Sequence, residues 1–194
     1  MKFYRFFLPF YRKAARKMCR DCQDFIKKGS KILDLGCGPG IITKTLQEFF
    51  QAEILGVDVQ DTRVVEVPFR IYDGFNLPFQ DETFDITFIS YVLHHTKDPE
   101  KVLSEAKRVS RNRIIVYEDL PEGILPKIRC FFHNLSYNAF FQKDRQEFNF
   151  KNRKEWQDLF KNLNLKLIFE KKVSATKLDF IDPVYRALFV LEKK

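Results

Sequence analysis

The stretch KILDLGCGPGI, residues 31–41, constrains the fold of this chain more than any other. Apolar Ile32, Leu33 and Leu35 lead into Gly36-Cys37-Gly38-Pro39-Gly40, and the segment IITKTLQEFF follows with the spacing of a helix. A buried strand that passes through a glycine turn into a helix is the first βα unit of a doubly wound sheet, which takes nucleotides at its strand ends. Gly36 and Gly38 remove Cβ atoms where the backbone must turn sharply and approach a ligand. Pro39 suits the first turn of the following helix, whose free N–H groups can receive a carboxylate or phosphate.

The glycine spacing narrows the ligand. A dinucleotide fingerprint, GxGxxG, would place its third glycine at position 41, where Ile41 stands, so a nicotinamide oxidoreductase is disfavoured. Asp34, Gly36, Gly38 and Gly40 instead spell D-x-G-x-G-x-G, which resembles the first motif of class I S-adenosylmethionine (SAM) dependent methyltransferases. Taken alone, the string also suits a tight turn in another α/β protein. The segment EILGVD reads as the second strand, and Asp58 at its end lies 18 residues beyond Gly40. A carboxylate placed about twenty residues on can accept hydrogen bonds from both ribose hydroxyls. The resemblance gives that role to Asp58.

Two further strings extend the resemblance. D-G-x-x-L-P-F-x-D-x-x-F-D, starting at Asp73, is similar to the family's adenine-binding segment. It implies that Asp73 accepts from the adenine amino group and that the Gly74 backbone N–H reaches a ring nitrogen. Ser90-Tyr91-Val92-Leu93-His94-His95 resembles the L-H-H signature of the methyltransferase type 11 subgroup. Backbone groups at Ser90 and Tyr91 would then face the methionine end of SAM. A histidine at that edge can accept a proton from the substrate nucleophile, and His95 is the candidate. Capping the next helix or bracing the loop is the competing role for either histidine.

The expected fold is α/β, a doubly wound, Rossmann-like sheet of seven mostly parallel strands with an antiparallel C-terminal pair. A chain of 194 residues suits one such domain, spanning 1–194. Strands are expected at Val67–Tyr72, Phe84–Ser90, Arg113–Tyr117, Lys166–Lys171 and Tyr185–Leu191, with helices over Asp98–Arg108 and Lys154–Leu163. Glu118 and Asp119 fall at the rim, where solvated carboxylates could orient an amine or hydroxyl substrate. Residues 120–150 carry two prolines and many aromatics, among them Phe131, Phe132, Tyr137, Phe140, Phe141, Phe148 and Phe150. The resemblance implies a substrate-recognition insertion there, a lid over an apolar pocket; anchoring of the insertion to the core would use the same aromatics.

Charge is concentrated at one end. Residues 1–30 hold nine Lys/Arg against Asp21 and Asp24, a net +7 out of +8 for the whole chain. A helix is expected from Pro9 to near Gly29, with Phe10, Ala14, Met18 and Phe25 on its inward face. Its cations can be a solvated face, or can meet an anionic membrane or RNA. The family resemblance makes Tyr11 a candidate cofactor neighbour. No apolar run approaches the ~18 residues of a membrane span, and FFLPFY is too short and aromatic for a signal-peptide core, so the expected location is cytoplasmic. Four cysteines make no disulfide framework; Cys19-x-x-Cys22 and Cys130-x-x-His133 are the one zinc-like combination, and no metal is expected. The resemblance implies SAM as cofactor, S-adenosylhomocysteine as product, and methyl transfer to a small or apolar acceptor. An RNA methyltransferase and a non-catalytic SAM-binding partner or membrane-associated subunit remain the alternatives.

Overall fold

The computed structural model describes residues 8–121, 149–173 and 185–193. Its strands are β1 (Lys31–Leu35), β2 (Glu53–Asp58), β3 (Phe69–Ile71), β4 (Phe84–Ser90), β5 (Ser110–Leu120), β6 (Leu165–Val173) and β7 (Tyr185–Lys193). Its helices are α1 (Leu8–Asp21), α2 (Ile41–Phe50), α3 (Pro99–Val109) and α4 (Arg153–Asn162). The seven strands form one sheet in the order β3-β2-β1-β4-β5-β7-β6. β3, β2, β1, β4 and β5 run parallel, and β7 pairs antiparallel with both β5 and β6. This is the architecture expected from the sequence. Among the described residues, no helix is long and apolar enough to cross a membrane.

Two-residue periodicity divides the sheet's apolar side chains between two cores. Leu33, Leu35, Ile114, Val116, Phe189 and Leu191 face one core, which α3 and α4 close with Leu103, Trp156 and Phe160. Ile32, Ile115, Tyr117, Leu188 and Val190 face the other, closed by Met18 and Cys19 of α1 and by Leu46 and Phe50 of α2. Strands covered on both faces explain why β1 and the centre of β5 read as continuous apolar runs. Helix starts are fixed locally: the Asp98 carboxylate accepts from Lys101 N–H at 2.9 Å before Pro99, and Asn152 with Glu155 forms a capping box on α4.

Several boundaries differ from expectation. α1 ends at Asp21 and gives way to a 3₁₀ turn over Gln23–Phe25. Its buried residues are Ala15, Met18 and Cys19, while Phe10 is 52% exposed. Phe25 packs instead on Phe169, with ring centroids 4.9 Å apart. α2 covers the segment IITKTLQEFF as expected, but Pro39 lies before its first turn, because Gly40, at φ 76°, takes the cap position in a left-handed conformation. β5 extends beyond the expected five residues at both ends because it pairs with two neighbours, β4 along one edge and β7 along the other. The aromatics of the 120–150 segment other than Phe150, together with Cys130 and His133, lie outside the described residues.

One buried polar bond ties α1 to the sheet: the Tyr117 hydroxyl donates to the Met18 carbonyl at 2.9 Å. That carbonyl also accepts from Cys22 N–H at 3.1 Å, so removing the hydroxyl leaves no orphaned acceptor. Tyr117→Phe is expected to cost only about 1 kcal/mol, read as a lower urea midpoint at unchanged slope.

Candidate active site

The carboxyl ends of β1, β2 and β4 meet at one rim of the sheet, where the glycine turn lies. Three consecutive amides of that turn are held by the last two residues of β2. Gly36 and Cys37 N–H both donate to the Val57 carbonyl, at 2.8 and 3.1 Å. Gly38 N–H donates to Asp58 Oδ2 at 2.8 Å. Asp58 Oδ1 accepts from Val59 N–H at 2.7 Å, which fixes the carboxylate at the strand end. Burial raises the Asp58 pKa, against the lowering effect of these amide donors.

The glycines do different work. A Cβ on Gly36 would stand 2.4 Å from a Val92 methyl, so the Val92 side chain of the loop after β4 packs directly on the backbone of the turn. A Cβ on Gly38 would meet nothing within 4 Å, leaving that bend open to a ligand. Both have positive φ, 75° and 49°.

Asp34, at the penultimate position of β1, is fully buried. Its Oδ2 accepts from the Thr43 hydroxyl of α2 at 2.6 Å, whereas Oδ1 has no hydrogen-bond partner among the described residues. Burial pushes its pKa up to about 7, and the nearby Asp58 charge adds to that while the Thr43 bond opposes it. An acid in this state is poised to ionise when a cation arrives.

Across the β2–β3 edge, Tyr72 N–H donates to the Asp58 carbonyl at 3.1 Å, placing Asp73 and Gly74 beside the end of β2. Asp73 is exposed. Its Oδ1 accepts from Phe75 and Asn76 N–H at 2.8 and 2.6 Å and its Oδ2 from the Asn76 amide at 2.8 Å; these bonds hold its pKa down. Gly74, at φ 88°, brings its backbone close to Val59, and a Cβ there would stand 3.2 Å from that side chain.

Ser90 is buried at the end of β4, and Tyr91 follows at φ 56°, an unusual conformation for a bulky residue. Its N–H donates to the Tyr117 carbonyl at 2.8 Å, which holds it there. Leu93–His95 then form a 3₁₀ turn. The two histidines are not equivalent. His94 is buried, its Nδ1 bonded to the Glu118 carboxylate, with Phe150 stacked on its ring at 4.7 Å. Burial is the largest single effect and lowers the His94 pKa, but the Glu118 charge, its hydrogen bond and the Asp119 charge together outweigh it and the net shift is upward. His95 lies half-buried beside it, with ring centroids 4.1 Å apart. Glu118, expected at a solvated rim, is fully buried and also accepts Leu93 N–H at 2.7 Å. Its role is to pin the histidine turn to β5. Sequence reading missed it because the partner lies 25 residues away; the one available signal was a carboxylate directly following a continuous apolar strand.

The Asp34 arrangement yields a pH prediction for ligand-free protein. With its pKa raised above the usual ~4 of an unfolded aspartate, the folded state must ionise a buried acid as pH rises from there towards 7, and stability falls across that window. Asp34→Asn keeps an acceptor for Thr43 without that cost. Thermal melts should show the variant gaining on wild type as pH rises from roughly 4 to about 7, where a constant gap would contradict the assignment.

Comparison with known proteins gives this geometry a lineage. Residues 33–116 match a family model described as a methyltransferase domain. An uncharacterized protein of Methanocaldococcus jannaschii is 31% identical over 161 residues, covering 78% of this chain and 72% of that protein. A demethylmenaquinone methyltransferase of Corynebacterium kroppenstedtii is 36% identical over 104 residues, 51% of this chain and 43% of that enzyme. An uncharacterized methyltransferase of Schizosaccharomyces pombe is 33% identical over 106 residues, 45% of this chain and 38% of that protein, so the chain spans well under half of these two relatives. Among solved structures, magnesium protoporphyrin IX methyltransferase of Synechocystis, with bound S-adenosylhomocysteine, superposes with a TM-score of 0.68 at 14% identity, over 95% of this chain and 84% of that one. Residues 33–116, which hold the glycine turn, Asp58 and the histidine turn, thus match the methyltransferase domain, on a fold shared with a methyltransferase that binds S-adenosylhomocysteine.

Proposed function

We infer that the protein transfers the methyl group of SAM to a small or apolar acceptor, releasing S-adenosylhomocysteine. The observation that carries this reading is the turn held by β2: an open Gly38 bend flanked by the Asp58 carboxylate and a buried Asp34 with one oxygen unpartnered among the described residues. These residues fit SAM. Asp34 matches the ammonium of its amino-acid end, Gly36, Gly38 and Gly40 leave room for its backbone-hugging portion, and Asp58 has acceptor capacity for the ribose hydroxyls. Among the described residues Asp73 Oδ2 accepts one bond, from the Asn76 amide, which leaves it an acceptor for the adenine amino group beside the Gly74 N–H. Ser90 and Tyr91 would border the methionine end.

Bound SAM supplies a methyl group already activated by its sulfonium charge. The protein's own tasks are to keep water out and hold the acceptor in line, ~3 Å from the methyl carbon. A proton on the acceptor nucleophile must leave, and His95 is the better placed of the two histidines to take it, since Glu118 engages His94. Support for a small, apolar acceptor comes from relatives named demethylmenaquinone methyltransferases and from the aromatic content of residues 120–150.

Gly38→Val fills the open bend and Asp58→Ala removes both an anchor of the turn and a ligand acceptor. Each should weaken SAM binding in calorimetry by about 100-fold or more, and unchanged affinity in both would remove the site assignment. With labelled SAM and fractionated cell extract, label should enter lipids or small molecules; label in RNA would displace the acceptor class. His95→Ala should slow that transfer far more than it alters SAM affinity, and a wild-type rate would strip His95 of the role.

A further inference from the structure

α1 buries Ala15, Met18 and Cys19 against the sheet and leaves Arg12, Lys13, Arg16 and Arg20 exposed. Arg12, Arg16 and Arg20 recur at four-residue intervals and so share one face of the helix. Among the described residues, Lys17 is the only cation of α1 with an ion-pair partner, Asp21. The cationic face is followed along the chain by exposed Lys27 and Lys28. It also borders a recess of about 770 Å³ lined by Arg12, Lys44, Gln47, Arg63 and Glu66. At the start of the helix Phe10 is 52% exposed, edge-on to Tyr11 at 6.1 Å. The preceding sequence, MKFYRFF, repeats the same mixture of aromatics and cations.

We propose that α1 seats the protein on an anionic lipid bilayer, with Arg12, Arg16 and Arg20 over the headgroup phosphates and Phe10 in the interface. Charge complementarity selects the occupant: Arg12, Lys13, Arg16 and Arg20 are exposed on α1, and residues 1–30 carry +7 of the chain's +8. An anionic leaflet attracts such a cluster within a Debye length. An aromatic ring exposed beside the cations belongs at the headgroup boundary, where its apolar body leaves water and its neighbours keep phosphate contact. RNA would engage the same arginines, but as counterions to a backbone that gives Phe10 no apolar phase to enter. The proposal stands on surface charge and burial, independently of the acceptor.

The test is co-sedimentation of the full chain with vesicles of phosphatidylcholine, alone or with roughly one-third phosphatidylserine. Binding is expected to the anionic vesicles only and to fall steeply with salt. Arg16→Glu/Arg20→Glu should lose about tenfold in binding while SAM affinity and melting temperature stay at wild type, and Lys27→Glu/Lys28→Glu, on a separate turn, should lose a similar factor. Phe10→Ser should remove the part of the binding that survives high salt. Equal sedimentation with both vesicle types, wild-type binding by both charge-reversal variants, or tighter binding to a random RNA pool than to anionic vesicles at the same salt would each overturn the proposal.

Discussion

The last two residues of β2 hold the glycine turn in place. Val57 takes two of its amides on one carbonyl, and Asp58 takes the third on its side chain. The grip depends on register: β1 and β2 run parallel with Leu35 opposite Val57, so the turn leaves β1 where β2 is ending. Three donors that would otherwise need water are satisfied within the protein, and the outer side of the bend is left for a ligand. Under the proposed function, the carboxylate that anchors the turn is also the one offered to the ribose. Cofactor affinity and loop order therefore draw on a single group.

Much of this was legible in the sequence because it is local. The spacing of Asp34, Gly36, Gly38 and Gly40 records where backbone must bend without side chains, and the distance to Asp58 records one helix and one strand of chain. Glu118 was not legible. Its burial follows from pairing with Leu93 N–H and His94, and the apolar strand before it, the one hint, does not separate an acid under a turn from an acid in water. The face of α1 was half legible: its period announced an amphipathic helix, but Ala15, Met18 and Cys19, not Phe10, meet the sheet. A helical period fixes an apolar stripe only to within about one residue when several rows are mixed. Pro39 misled for a simpler reason, since Gly40 in a left-handed conformation delays the helix.

The adjacent histidines illustrate how a sheet edge separates structure from chemistry. His94 is enclosed by Glu118 on one side and the Phe150 ring on the other, and its carbonyl accepts from Asn149 N–H at 2.8 Å. Those contacts set the position of the next residue along. His95 is then carried at a defined place beside the end of β4, with partial access to solvent, while its neighbour bears the packing load.

The antiparallel strand β7 sits inside the sheet, between β5 and β6, although it follows every other described element along the chain. During synthesis β5 would therefore leave the ribosome with one hydrogen-bonding edge bare and keep it so until Tyr185–Lys193 emerges. The five parallel strands could assemble around the ligand-binding rim before then, but with a long hydrophobic border, Ile114 to Val116, awaiting its partner. Such a border is where nascent chains pair wrongly with one another. A slow final pairing step is the natural consequence of an interior strand that arrives last.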